Sequence, residues 1–395
     1  MLNETMTALG KHRSTIREIF EYGNRRAVEV GRENVFDFSI GNPSVPAPDA
    51  VRQAMLAEAA GDPVALHGYT SAPGAADARQ ALADDLNRRF STDYTADNLY
   101  LTAGAAAALS CAFKAMACPG DEFVVLAPYF PEYKMFIEQG AGGKCVVVPP
   151  SVTDFQIDFD ALAQRLNQKT KAVVINSPNN PSGVVYTEAT IQRLAALLRD
   201  KARAFGHPIY LISDEPYREI VYDGLTVPFV PHYYEDTVVC YSYSKSLSLP
   251  GERIGYVLVP PRATDSGDLY AAVCGAGRAL GYICAPSLFQ RIAARCANMT
   301  SDISVYQTCR DLLYDGLVEM GYTCVKPEGA FYLFPQTLEP DDRAFCERAK
   351  QYDLLLVPGV DFGAPGHMRI SYCVQPDTIR RALPLFGKLA EDYRK

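Results

Sequence analysis

No run of 18 consecutive apolar residues occurs in the sequence, and Met1 to Gly10 holds no apolar segment of the kind that begins a secretory leader. The first absence excludes a membrane-spanning helix, and the second argues against export. Eleven cysteines are present, at 111, 118, 145, 240, 274, 284, 296, 309, 324, 346 and 373, yet no Cys-x-x-Cys pair. An odd, scattered set, partly inside apolar runs, fits buried reduced thiols and not a disulfide framework or a zinc site. The five histidines are dispersed with no i, i+4 pair, so no metal centre is expected. Positive charge is also in deficit. A net charge of −8 disfavours nucleic acid and anionic membranes as partners, although local arginines can still attract small anions. No internal repeat or low-complexity tract is evident. A soluble, cytoplasmic protein is expected.

What is present fits a globular chain: 395 residues, enough for two to three domains, with 48% hydrophobic and 21% charged residues. Residues 13–32 carry a helical stripe of Ile16, Ile19, Phe20, Ala27 and Val30, interrupted by Gly23. Val35 to Ile40 reads as a short strand that runs into an irregular segment at Gly41-Asn42-Pro43. Helices are expected over 49–60 and 75–89, with a loop at 67–74 between them. Strands at 98–102, 122–126, 144–148, 171–175 and 208–212 then alternate with helices at 105–117, 132–139, 159–166 and 188–204. Such alternation predicts βα units and a mostly parallel sheet.

The character changes after a strand at 254–259. Long helical patterns cover about 265–298 and 301–320. Short mixed elements follow at 330–334, 341–351, 354–357 and 368–373, and a helix starting at Asp377 closes the chain. The fold class is therefore α/β. A large domain is expected over 45–285, and a smaller α+β domain from 1–44 together with 286–395.

Chemistry concentrates in the stretch Tyr241-Ser-Tyr-Ser-Lys245-Ser-Leu-Ser-Leu-Pro-Gly-Glu-Arg253-Ile-Gly255. A desolvated lysine is a natural Schiff-base residue, and Ser242, Ser244 and Arg253 would suit a phosphate dianion. An ordinary turn between two strands that happens to hold Lys and Arg fits equally well. Ligands of open α/β sheets sit at the carboxyl ends of strands, which directs attention to four further places.

Thr102-Ala-Gly104-Ala105-Ala106 leads a strand into a helix whose first amides can bind an anion, or is a plain connection. Ile175-Asn-Ser-Pro-Asn-Asn180-Pro-Ser-Gly183 is a rigid turn able to aim an amide into a cleft, or a turn and nothing more. Asp214 ends an apolar strand, so it needs a cationic or hydrogen-bonding partner, of which a protonated pyridine nitrogen would be one; alternatively it caps a helix. Arg369, inside the apolar strand His367 to Ser371, needs a carboxylate from a ligand or from the protein itself. Gly140 to Lys144 is not a phosphate loop, because Glu138 stands where the first glycine belongs and Cys145 replaces the Ser/Thr. Gly275-Ala-Gly277 likewise lacks the third glycine of a dinucleotide fingerprint.

Together these stretches resemble the class I/II aminotransferases, fold type I enzymes that depend on pyridoxal 5′-phosphate. The matching motifs are, in order, Gly41-Asn-Pro43, Tyr69, Gly104, Pro128-Tyr-Phe130, Asn180-Pro-Ser-Gly183, Asp214-x-x-Tyr217, Ser242-x-Ser-Lys245, Arg253-x-Gly255 and Arg369, spanning residue 35 to the C-terminus. The resemblance implies that Lys245 is the Schiff-base lysine and proton carrier. It implies that Asp214 faces the pyridine nitrogen, that Asn180 and Tyr217 face the ring's 3′-oxygen, and that Phe130 stacks on the ring.

The phosphate falls to Ser242, Ser244, Arg253 and the amides following Gly104, at Ala105 and Ala106. Tyr69 would reach it from a neighbouring subunit, so a homodimer with shared sites is implied. Arg369, with Asn180 and the backbone at Gly41, would hold the substrate α-carboxylate. Ala106 replaces a polar side chain common near the phosphate, and with no tryptophan in the chain the stacking ring lacks a polar tip.

The expected activity is transfer of an amino group from an L-amino acid to a 2-oxo acid, 2-oxoglutarate being common in the family. An aspartate donor would require a second cation, for which Arg25, Arg26 and Arg278 are candidates. A carbon–sulfur β-lyase on the same scaffold is the alternative, since it would share Lys245, Asp214 and Arg369. A sensory domain of a transcriptional regulator is disfavoured by the acidic charge and by the short stretch before residue 35.

Overall fold

The structure, a computed structural model, describes residues 2–11 and 14–394. Its centre is a seven-stranded sheet in the order Leu99–Thr102, Gly255–Leu258, Thr237–Ser242, Tyr210–Asp214, Thr170–Asn176, Glu122–Leu126, Lys144–Val148. Six strands run one way. Only Gly255–Leu258 opposes its neighbours, pairing antiparallel on both sides.

Both faces of this sheet are buried, which is why its strands read as apolar runs and not as alternating patterns. Successive side chains point to opposite faces. Val174 therefore meets Val125, Ile212 and Val238 on one side, beneath Phe113 and Val273 of the helices Gly104–Met116 and Ser266–Ala279. Val173 and Ile175 meet Val124 and Leu211 on the other, beneath Leu162 and Leu194 of the helices Phe159–Arg165 and Glu188–Phe205.

A second core gathers Phe38, Tyr306, Leu313, Phe331, Ile370 and Phe386 around small sheets of the C-terminal part. One is three-stranded and antiparallel, with Met368–Ser371 between Val357–Pro358 and Tyr332–Leu333. The other pairs Phe36–Asp37 in parallel with Leu354–Leu355, tying the start of the chain to its end.

Several boundaries differ from expectation. The pattern over 265–298 is two helices, Ser266–Ala279 and Ser287–Arg295, separated by Gly281 at φ 81° and started again after Pro286. The run 354–357 divides between the two small sheets because Leu355 and Val357 pair with different partners. The helix expected over 132–139 is α-helical for Glu132–Met135 and then widens into a π-turn over Phe136–Ala141. A helix at Glu4–Lys11, which buries no residue, went unread. The amphipathic helix spans Thr15–Val30; its expected start at Arg13 lies outside the described residues.

Candidate active site

Chain direction explains why the predicted residues converge. The parallel strands end at one edge of the sheet, so Thr102, Asn176, Asp214 and Ser242 deliver the segments that follow them to the same place. The opposed strand begins there, and its Gly255 pairs with both Thr102 and Ser242. Arg253 is brought in beside Gly104 in this way. The antiparallel sheet contributes Arg369 and Tyr332, and the segment after Phe36–Asp37 contributes Gly41. Together they enclose a cavity of about 360 Å³.

Asp214 is one of the residues that line this cavity. It is 4% exposed, and Tyr133 donates to its Oδ2 at 2.5 Å, while its Oδ1 is buried with no hydrogen-bond partner. Burial pushes its carboxyl up to about 7, against the opposing effect of the Tyr133 hydrogen bond. An unpaired carboxylate oxygen that borders a cavity requires a donor, and a protonated ring nitrogen is one. Asn176 donates to the Asp214 carbonyl at 2.8 Å and accepts from the Asn180 amide at 2.7 Å, locking strand end to turn.

Within that turn the three asparagines divide their tasks. Asn179 accepts from the amide and hydroxyl of Ser182 and so closes the loop, while Asn180 presents its side chain to the cavity. Lys245 sits in the one-turn helix Tyr243–Ser246 and donates to the Gly41 carbonyl at 2.6 Å. Burial draws its ammonium down to about 8, so about a tenth of it is neutral at pH 7, far more than for an ordinary lysine.

One corner of the cavity is assembled mostly from backbone. The helix Gly104–Met116 opens with free amides at its N-terminus, beside the hydroxyls of Ser242 and Ser244. Arg253 is held over that end by donating to the carbonyls of Pro250 and Ala103 at 2.9 and 3.2 Å. Gly104 has φ 81°, which favours glycine, and a Cβ there would lie 2.5 Å from Arg253 Nη2, so a larger residue would be strained and would push that guanidinium aside.

Arg369 is 2% exposed and has no carboxylate partner among the described residues. It donates to Asn180 Oδ1 at 3.1 Å and to the Ser39 carbonyl, leaves Nε unpaired, and lies over the rings of Tyr332 and Phe362. The ion-pair alternative for Arg369 finds no protein carboxylate among the described residues, which leaves room for one supplied by a ligand.

Phe130 lines the cavity, its ring edge-on to Tyr133. Tyr217 meets Tyr332, hydroxyl to hydroxyl, at 2.9 Å. Tyr69 alone lies apart. It is 98% exposed on the loop after Pro63–His67 and does not touch this chain's cavity.

Of the candidate second cations, Arg26 is paired with Asp353 at 2.7 Å, Arg25 lines a separate groove, and Arg278 is exposed outside the cavity. Sequence reasoning missed Tyr133, Tyr332 and Ile16. No helical spacing singles out Tyr133, because Phe130 lies before the helix Glu132–Met135 begins. The other two read as core.

Residues 33–384 match the family described as aminotransferase class I and II. The chain belongs to that family. It is 31% identical to the aspartate/prephenate aminotransferase of Thermus thermophilus over 384 residues, 93% of this chain and 94% of that protein. A solved aminotransferase from Eubacterium rectale superposes with a TM-score of 0.98 at 57% identity, covering 100% of both chains. The Thermus thermophilus aspartate aminotransferase with maleate superposes at 0.84 with 28% identity, over 98% of this chain and 99% of that one. This protein is thus a pyridoxal-phosphate-dependent aminotransferase of fold type I, and the groups described above fit that cofactor: an orphaned acceptor, an anion cradle and a buried amine.

Proposed function

We propose that this aminotransferase uses the Lys245 cavity to move the amino group of an L-amino acid to a 2-oxo acid, with 2-oxoglutarate as acceptor. The observation that carries the reading is a pair of buried groups at one cavity: Asp214 Oδ1, which has no hydrogen-bond partner, and the Arg369 guanidinium, which has no carboxylate partner among the described residues. One calls for a ring N–H and the other for a carboxylate. A pyridoxal ring and an amino acid supply them together.

When bound, the cofactor supplies a conjugated ring that accepts the electron pair left as the substrate Cα loses its proton. Lys245 Nζ would hold the cofactor and, once free, would be the base that carries the substrate Cα proton. Asp214 would keep the ring nitrogen protonated. Asn180 and Tyr217 would donate to the 3′-oxygen, Phe130 would pack on the ring face, and Ser242, Ser244, Arg253 and the amides of Ala105 and Ala106 would hold the phosphate. Arg369 clamps the α-carboxylate, with Asn180 and the Gly41 backbone beside it.

We further propose a cytoplasmic homodimer with shared sites. The exposure of Tyr69, with Val64 80% and Ile283 58% exposed nearby in sequence to that loop and to Arg278, supports it. The division into 45–285 against 1–44 with 286–395 is also our reading. Packing of Phe289, Ile292 and Ala293 against Val51 and Leu82 supports starting the last segment nearer 300.

Aspartate is the donor named for the relatives. For this chain it is a proposal that needs a cation beyond Lys245, Arg253 and Arg369. A panel of amino-acid donors against 2-oxoglutarate and pyruvate, followed by the cofactor's spectral change, tests the reading. Pyruvate released from cysteine or cystathionine with no acceptor present would identify a β-lyase instead.

A further inference from the structure

Tyr332 is 3% exposed, lines the cavity, and contacts three of the residues assigned above. Its hydroxyl lies 2.9 Å from that of Tyr217, their rings nearly perpendicular at 83°. The Arg369 guanidinium rests 4.8 Å from the centre of its ring. Position 41 is glycine where any Cβ would collide with the Tyr332 hydroxyl, so the crossing segment leaves this oxygen its space.

A phenol carries one proton and two lone pairs. If Tyr217 donates to an oxygen of the cofactor ring, its proton is committed, and its contact with Tyr332 is favourable only if Tyr332 donates. We propose that Tyr332 is a positioning residue of the reaction, its hydroxyl donating to Tyr217 so that the two phenols form one donor chain aimed at the cofactor's ring oxygen. Burial raises both phenols, with Arg369 pulling each the other way, so both keep their protons near neutral pH and can donate. Successive donors polarise one another, so Tyr332 strengthens the bond that Tyr217 makes. This rests on the reading that Tyr217 faces the ring oxygen.

Donation to an anionic ring oxygen favours the state in which the adjoining nitrogen has lost its proton, and holds down the pH midpoint of the holoenzyme's visible absorption change. Tyr332→Phe keeps the ring beneath Arg369 and removes only the donor. Its midpoint should rise by roughly half a pH unit to one. Tyr217→Phe should raise it further, and adding Tyr332→Phe to Tyr217→Phe should then change nothing. KM for the amino donor should stay within about twofold, since the clamp is intact.

A midpoint moved by Tyr217→Phe but not by Tyr332→Phe overturns the proposal, as does an equal rise from Tyr332→Phe in both backgrounds. A midpoint that Tyr217→Phe leaves in place overturns the underlying assignment of Tyr217, and the donor chain with it. Should Tyr332→Phe yield no holoenzyme, ring-fluorinated tyrosine at 332, a stronger donor, must lower the midpoint; a rise contradicts the chain.

Discussion

Replacing Asp214 by asparagine in the cofactor-free enzyme isolates what the buried carboxylate costs before its partner arrives. Its folded pKa, about 7, lies above the usual 3.8 because burial opposes ionisation, and the Tyr133 hydrogen bond only partly offsets this. The sign follows from proton linkage. Below pH 3.8 the folded and unfolded chains are both protonated at this residue, so it has no effect on the pH dependence of stability. Between 3.8 and 7 the unfolded chain sheds the proton while the folded chain keeps it, so folding loses stability as pH rises; above 7 the loss is complete.

One pKa unit corresponds to about 1.4 kcal/mol, which makes the whole effect about 4 kcal/mol and the part between pH 5 and 7 roughly 2–3 kcal/mol. Urea unfolding of cofactor-free wild type and Asp214→Asn across that interval should show the wild type losing that amount relative to the variant. Adding pyridoxal phosphate to the wild type should remove the decline, because a ring N–H cation then pairs with Oδ1. Parallel pH profiles for the two cofactor-free proteins would refute the reasoning, since Asp214 would then be satisfied by the protein alone.

Three other outcomes are expected. Cofactor incorporation into the cofactor-free enzyme should accelerate as pH passes through about 8, where buried Lys245 becomes neutral, and not only near the usual 10.5. Stopped-flow absorbance checks this. Gly104→Ala should displace Arg253 and remove one charge-assisted hydrogen bond from the phosphate, weakening cofactor binding roughly 10- to 100-fold in an equilibrium titration. Mixing Tyr69→Ala subunits with Lys245→Ala subunits should restore activity, because the hybrid holds one site with both changes and one with neither. Verified heterodimers that stay inactive would place Tyr69 in its own subunit's site.

The strand-end residues were legible because each carries an electrostatic demand that an apolar strand cannot meet. Asp214 and Arg369 stand out for that reason, and their spacing to Lys245 and Asn180 made the family recognisable. Tyr133 and Tyr332 were not legible, since a tyrosine in an aromatic run such as Phe331-Tyr332-Leu333-Phe334 makes no demand until its hydroxyl's partner is known. That partner comes from another element: Asp214 for Tyr133 and Tyr217 for Tyr332. Ile16 reads as one apolar position of a surface helix, and only the course of Thr15–Val30 brings it to the cavity. The division of 354–357 between two sheets was hidden for a similar reason. An apolar run reports burial and not the strand it pairs with.

The most direct test of the account is chemical. Borohydride reduction of the yellow holoenzyme, followed by proteolysis and mass spectrometry, should leave a pyridoxyl group on the peptide that contains Lys245. A modified lysine elsewhere, or an unmodified Lys245 peptide from fully coloured protein, would contradict it.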